Sequence, residues 1–148
     1  MSPQDDYTVL IVDDNADLLA LMADSLRLLG HFKVVTADNG VAGLERYFEV
    51  RPDCVIIDVV MPGLDGYQLI HALRGDAASS STPLVVLSAL AQQRDQLAGL
   101  LCGADEYAMK PITPLQLVEV IKQVLHRSEE ERRERQMALL EEGFALPE

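Results

Sequence analysis

The sequence contains no apolar run approaching the roughly 18 residues that a membrane-spanning helix requires. Met1 to Tyr7 is too polar for a signal peptide, so the chain is expected to stay in the cytoplasm, away from any membrane. Basic residues are scarce. Against 24 Asp and Glu stand 12 Lys and Arg, and the formal net charge of −12 argues against direct nucleic-acid binding through an extended basic surface. Only two cysteines occur, Cys54 and Cys102, and without metal-ligand spacing they read as reduced, buried thiols. The three histidines, His31, His71 and His126, are scattered, with no spacing that suggests a metal site or a phosphotransfer histidine. What the 148 residues do hold is 49% hydrophobic content, enough for the core of one domain.

Four short apolar runs each end in a group suited to handling phosphate. Leu10-Ile11-Val12 runs into Asp13-Asp14, Val55-Ile56-Ile57 into Asp58, Leu84-Val85-Val86-Leu87 into Ser88, and Tyr107-Ala108-Met109 into Lys110. The first three have the length and composition of fully buried parallel strands. Between them lie segments with helical spacing. Asn15 to Leu29 places Leu18, Leu19, Met22, Leu26 and Leu29 on one face, with Gly30 as the stop. After a strand over Lys33 to Ala37, Asp38 can cap a helix reaching about Val50, with Val41, Leu44 and Phe48 inward. Arg51-Pro52-Asp53 breaks that helix, a further helix is expected from about Tyr67 to Arg74, and Pro83 opens the strand ending at Ser88. Gln92 to Leu101 reads as a helix closed by Gly103. Thr113 and Pro114 start one that buries Leu117, Val120, Ile121, Val124 and Leu125. Five strands alternating with five helices predict an α/β domain whose parallel sheet is covered on both faces. Ligands of such sheets bind at the carboxyl edge, where the four chain-distant groups would meet.

Each group has an ordinary explanation when taken alone. An Asp pair after a strand usually caps the next helix. Asp58 could serve the turn before Pro62-Gly63, and Ser88 could be a strand-end hydroxyl. Four independent strand ends imitating one site is much harder to explain. Val12-Asp13-Asp14-Asn15, the stretch from Asp58 through Met61-Pro62-Gly63 to Asp65-Gly66, Ser88-Ala89, and Gly103-Ala104-Asp105-Glu106-Tyr107-Ala108-Met109-Lys110-Pro111 together resemble the signature of response regulator receiver domains of two-component signalling. The resemblance covers residues 8 to about 126, with every element in order.

The resemblance implies a flavodoxin-like, doubly wound five-stranded sheet of order 2-1-3-4-5. It implies that Asp58 is the phosphoryl acceptor, forming an acyl phosphate after attack on the phosphohistidine of a sensor histidine kinase or phosphotransfer protein. Asp13 and Asp14 would hold Mg2+ together with Asp58 and the backbone carbonyl of Val60, Asp13 acting mainly through water. Ser88, Ala89 and Lys110 would contact the phosphoryl group, Ser88 and Tyr107 would form the switch, and the bond before Pro111 would be cis. Such a domain is no ordinary enzyme, since it would catalyse only its own phosphotransfer and slow autodephosphorylation. Val60 and Leu90 stand where other members often carry polar groups that position water, which leaves the hydrolysis rate open.

Past Leu125 the character of the sequence changes. His126 to Gln136 is almost entirely charged, has no helix breaker and offers Glu129–Arg133 and Glu131–Arg135 pairs, so the preceding helix is expected to continue as a solvated extension through about Glu142. Met137, Leu139 and Leu140 then return apolar character. These features divide the chain into a tail over 1–7, a receiver over 8–126 and a charged helical extension or linker over 127–148. The extension could support a weak homodimer, connect to a downstream output domain or partner, or pack back on the domain. Three rival readings remain: an interaction module that signals without phosphorylation, a hydrolase using an aspartyl phosphate, and a flavin binder. The hydrolase is disfavoured by Val60, where that class commonly carries a second acid. The flavin binder is disfavoured because no loop rich in Gly, Ser and Thr follows the first strand.

Overall fold

The structure is a computed structural model and describes residues 7–58, 66–88 and 103–145. Five strands, β1 (Thr8–Val12), β2 (Lys33–Ala37), β3 (Cys54–Asp58), β4 (Leu84–Ser88) and β5 (Glu106–Met109), form one sheet of order β2-β1-β3-β4-β5. All pairings are parallel. Every residue of β3 is buried, as expected of a central strand covered on both faces. The expected strand order is the observed one. The predicted helix over 92–101, together with Val60, Asp65, Ala89 and Leu90, lies outside the described residues.

The described helices are α1 (Ala16–Gly30), α2 (Gly40–Val50), α3 (Gly66–Gly75), α4 (Pro114–His126) and α5 (Glu129–Ala145). On one face of the sheet, Leu19, Met22 and Leu26 of α1 pack with Leu117, Ile121 and Val124 of α4 over Val9, Ile11, Ile56 and Val85. On the other, Tyr47 of α2 and Leu69, Ile70 and Leu73 of α3 pack over Leu10, Val12, Ile57 and Val86. Because side chains alternate along a strand, each strand supplies both layers, and this explains the unbroken apolar runs.

Local chemistry departs from expectation at three helix ends and two helix faces, since Leu29, read as inward on α1, is exposed. Gly30 does not stop α1; it is the last helical residue, and His31 takes the left-handed conformation with φ 57°. Gly30 is instead needed for space, since a Cβ there would lie 2.5 Å from the Phe32 ring, itself buried. Overpacking typically costs about 1–3 kcal/mol, against at most about 1 kcal/mol of helix propensity gained by alanine. Gly30→Ala is therefore expected to lower the thermal midpoint, and a raised midpoint in a melting experiment would contradict this packing.

The cap of α2 is Asn39 rather than Asp38, with the Asn39 side chain accepting from the Ala42 N–H. The buried face of α2 is likewise rotated, because Val41 is 55% exposed while Gly40, Gly43 and Tyr47 are buried. At Gly43 a Cβ would meet Val12 at 3.0 Å and Leu69 at 3.1 Å, so the glycine sets the contact line and turns Val41 outward. Leu44 and Phe48 remain partly buried against the same layer.

The largest departure is at the C-terminal end. The helix begun by Thr113 and Pro114, with a full capping box to Gln116, does not continue into the charged segment. Arg127 adopts an extended conformation, φ −74° and ψ 138°, and a separate helix starts after Ser128. Ser128 Oγ accepts from the Glu131 N–H while the Ser128 N–H donates to the Glu131 carboxylate, a second capping box. The charged segment is not merely a solvated face. Arg132, Arg135 and Gln136 reach back to Asp105 and Glu106 at the start of β5, so α5 packs on the domain.

Candidate functional site

The sheet register brings the acidic groups together. Val12 pairs with Ile57, so the residues one step further along, Asp13 and Asp58, emerge side by side at the carboxyl edge. Asp13 is held there by its own backbone and side chain: its N–H donates to the Ala37 carbonyl, and its Oδ1 accepts from the Asn15 N–H at 2.9 Å. Asn15 then caps α1 by accepting from the Leu18 N–H, which carries the chain away from the edge and leaves Asp14 exposed beside the pair. Asp13 and Asp58 are buried, at 4% and 8% exposure. Asp13, Asp14 and Asp58 each offer a carboxylate oxygen within 4.8 Å of the others, a hard oxygen cluster compatible with a divalent cation.

Lys110 follows the last residue of β5. Ser88 pairs with Met109, and two inter-strand spacings, roughly 10 Å, separate β5 from β3. The long lysine side chain spans this gap, placing Nζ 2.9 Å from Asp13 Oδ2 and 3.4 Å from Asp58 Oδ2. Burial alone would lower the amine's pKa. The hydrogen bond to Asp13 and the charges of Asp58 and Asp13 outweigh burial and hold it above the ordinary lysine range. The amine is thus fully charged at neutral pH, a fixed cation between two carboxylates. The Lys110–Pro111 peptide is cis.

Ser88 ends β4 at the same edge, next to β3 and β5. Tyr107 lies one strand position beyond Glu106, half-buried and packed against the layer formed by α2 and α3. Val60 and Ala89, the remaining predicted site residues, fall outside the described residues.

Sequence reasoning missed a second charged cluster, at the opposite end of β5. Asp105, completely buried, accepts from Arg74 at 2.9 Å, from Arg132 at 2.7 and 3.1 Å, from Gln136 at 3.2 Å and from the Leu84 N–H at 2.9 Å. Glu106 accepts from Arg127 at 2.7 Å and from Arg135 at 3.0 and 3.2 Å. Burial would raise the pKa of Glu106, but hydrogen bonds from Arg135 and Arg127 win and hold it below the usual glutamate range. The one sequence signal was an acid pair at the start of a strand followed, after a helix, by arginines at helical spacing.

Comparison with known proteins gives a consistent result. Residues 9–122 match the family model of the response regulator receiver domain. The chain is 44% identical over 119 residues to the transcriptional regulatory protein PrrA of Mycobacterium leprae, covering 80% of this chain and 50% of that protein. It is 41% identical over 120 residues to a probable transcriptional regulator, ycf27, of Guillardia theta, covering 81% and 46%. It therefore spans about half the length of these curated relatives. Among solved structures, a putative response regulator from Chloroflexus aurantiacus superposes with a TM-score of 0.77 at 34% identity, over 82% of this chain and 98% of that one. The chemotaxis protein CheY4 of Vibrio cholerae superposes with a TM-score of 0.75 at 28% identity, over 80% and 98%.

Proposed function

From a chain that belongs to the response regulator receiver domain family, we propose a phosphoacceptor that takes a phosphoryl group from a kinase phosphohistidine onto Asp58. The observation that carries this reading is Lys110 Nζ bridging Asp13 and Asp58 at the carboxyl edge, inside a cluster of three carboxylates. An Asp58 carboxylate oxygen would attack phosphorus in line with the departing imidazole. The new P–O bond forms as the P–N bond breaks, and the histidine nitrogen leaves with the bonding electrons. Lys110 balances part of the charge gathering on the phosphoryl oxygens, and it need only exchange its contact with Asp58 for one of them. The Ser88 hydroxyl and the Ala89 N–H are the remaining donors in this scheme, with Ser88 and Tyr107 as the switch pair. Asp13, Asp14, Asp58 and the Val60 carbonyl would hold Mg2+, which when bound supplies the charge neutralisation that lets an anionic nucleophile meet an anionic phosphoryl group.

The partners under this reading are a sensor histidine kinase or phosphotransfer protein and an output domain or protein in the cytoplasm, with a weak homodimer as a further assembly. Residues 8–126 would form the receiver and 127–148 the connecting segment.

Incubation with acetyl phosphate tests the reading: labelling should require Mg2+ and vanish with a chelator. An intact fold that is never labelled would instead favour an interaction module working without phosphorylation. The acid pair is testable separately. Asp13→Asn combined with Asp14→Asn removes two of three carboxylates and should weaken Mg2+ binding, followed by calorimetry, by at least about tenfold. Unchanged affinity would rule out this metal site.

A further inference from the structure

Between α4 and α5 the chain leaves helical geometry at Arg127. From Leu115 to Glu142 the sequence contains no glycine or proline, and Glu129–Arg133 and Glu131–Arg135 are spaced to support one uninterrupted helix. Yet the chain bends at Arg127. Its φ of −74° already suits a helix, and the residue departs from helical geometry through ψ alone, at 138°. Tertiary contacts add to the local capping in holding the bend. Arg127 donates to the Asp105 carbonyl at 3.1 Å and to Glu106, Arg132 and Gln136 hold the buried Asp105 carboxylate, and Arg135 holds Glu106. Every one of these contacts is polar, and Met137 on the same helix is 58% exposed. Locally, the Ser128–Glu131 capping box and the Arg127 N–H donating to the Val124 carbonyl also favour the bend.

We propose that α4 and α5 form a two-state element: the bent clasp, with α5 docked on Asp105 and Glu106, and a single continuous helix over 114–145 that carries the C-terminal end away from the sheet. The straight form would be about 48 Å long at 1.5 Å per residue. It would project most of its second half beyond the domain and so reposition whatever follows it. Because the described side-chain contacts of the docked form centre on Asp105 and Glu106, anything that competes for the two carboxylates shifts the balance. Asp105 and Glu106 lie at the opposite end of β5 from Lys110.

The test is the distance between spin labels at Ala77→Cys, on the exposed turn after α3, and Met137→Cys on α5, measured by pulsed electron spin resonance in the full chain with Cys102→Ser. Cys54 is buried and need not be replaced. The otherwise unmodified chain should give the short distance of the docked form. Adding Arg132→Ala and Arg135→Ala should shift most molecules to a clearly longer distance, since the ten residues between the bend and Met137 form an arm of about 15 Å. The far-ultraviolet helix signal should be undiminished. Two results would overturn the proposal: retention of the short distance in the arginine variant, or a broad distribution with loss of helix signal, which would mean that α5 melts rather than straightens.

Discussion

Asp58→Asn is expected to reduce phosphoryl labelling to background while leaving the fold intact. Asparagine keeps the shape of the side chain but lacks the anionic oxygen that would attack phosphorus, so the effect falls on chemistry rather than packing. The fold should tolerate the change because Asp58 is one of three carboxylates within 4.8 Å of one another, and only one lysine is shared between Asp13 and Asp58. Removing one negative charge relieves repulsion, and the asparagine oxygen can still accept from Lys110, whose contact with Asp58, at 3.4 Å, is the longer of its two. The stability change should accordingly be small, and circular dichroism and the thermal midpoint will show whether it is. Labelling that persists in a folded variant would place the acceptor elsewhere.

Asp105→Asn should have the largest effect on stability, far from that site. Asp105 is fully buried, whereas the guanidinium side chains of Arg74 and Arg132 facing it are 18% and 17% exposed. Losing the carboxylate charge would leave both guanidinium groups without their central counter-ion. Breaking a buried pair costs about 3–5 kcal/mol, and the partial exposure of the arginines moves the expectation to the low end, about 3 kcal/mol. The urea midpoint should fall with little change in slope, since the surface exposed on unfolding is nearly the same. A loss below about 1 kcal/mol would show that the pair behaves as a surface salt bridge.

How much of this was legible in the sequence depends on how local the cause is. Buried strands advertise themselves through continuous apolar runs, and the groups that end them land at one edge because parallel strands all point the same way; Asp13, Asp58, Ser88 and Lys110 were readable for that reason. The rotated face of α2 was not. Gly43 approaches Val12 and Leu69 so closely that it sets the packing line, and a glycine carries no hydrophobic signal to a periodicity count. The cap moved by one residue, from Asp38 to Asn39, because either side chain can cap and only the tertiary fit decides. The bend at Arg127 was hard to read because the Ser128–Glu131 capping box competes with a stretch free of glycine and proline over 115–142. What decides between them is long-range: Asp105, buried and some twenty residues upstream, gathers arginines from α3 and α5, a contact that no window along the chain contains.

The central claim, that this domain carries a phosphoryl group on Asp58, is tested most directly by locating the modification itself. The full chain would be incubated with acetyl phosphate and Mg2+, and intact and fragment masses recorded under conditions that preserve acyl phosphates. The account predicts the mass of a single phosphoryl group, confined to the fragment containing Asp58 and abolished by chelating the metal. A phosphoryl group on any other residue, or none on a folded chain supplied with Mg2+, would contradict it.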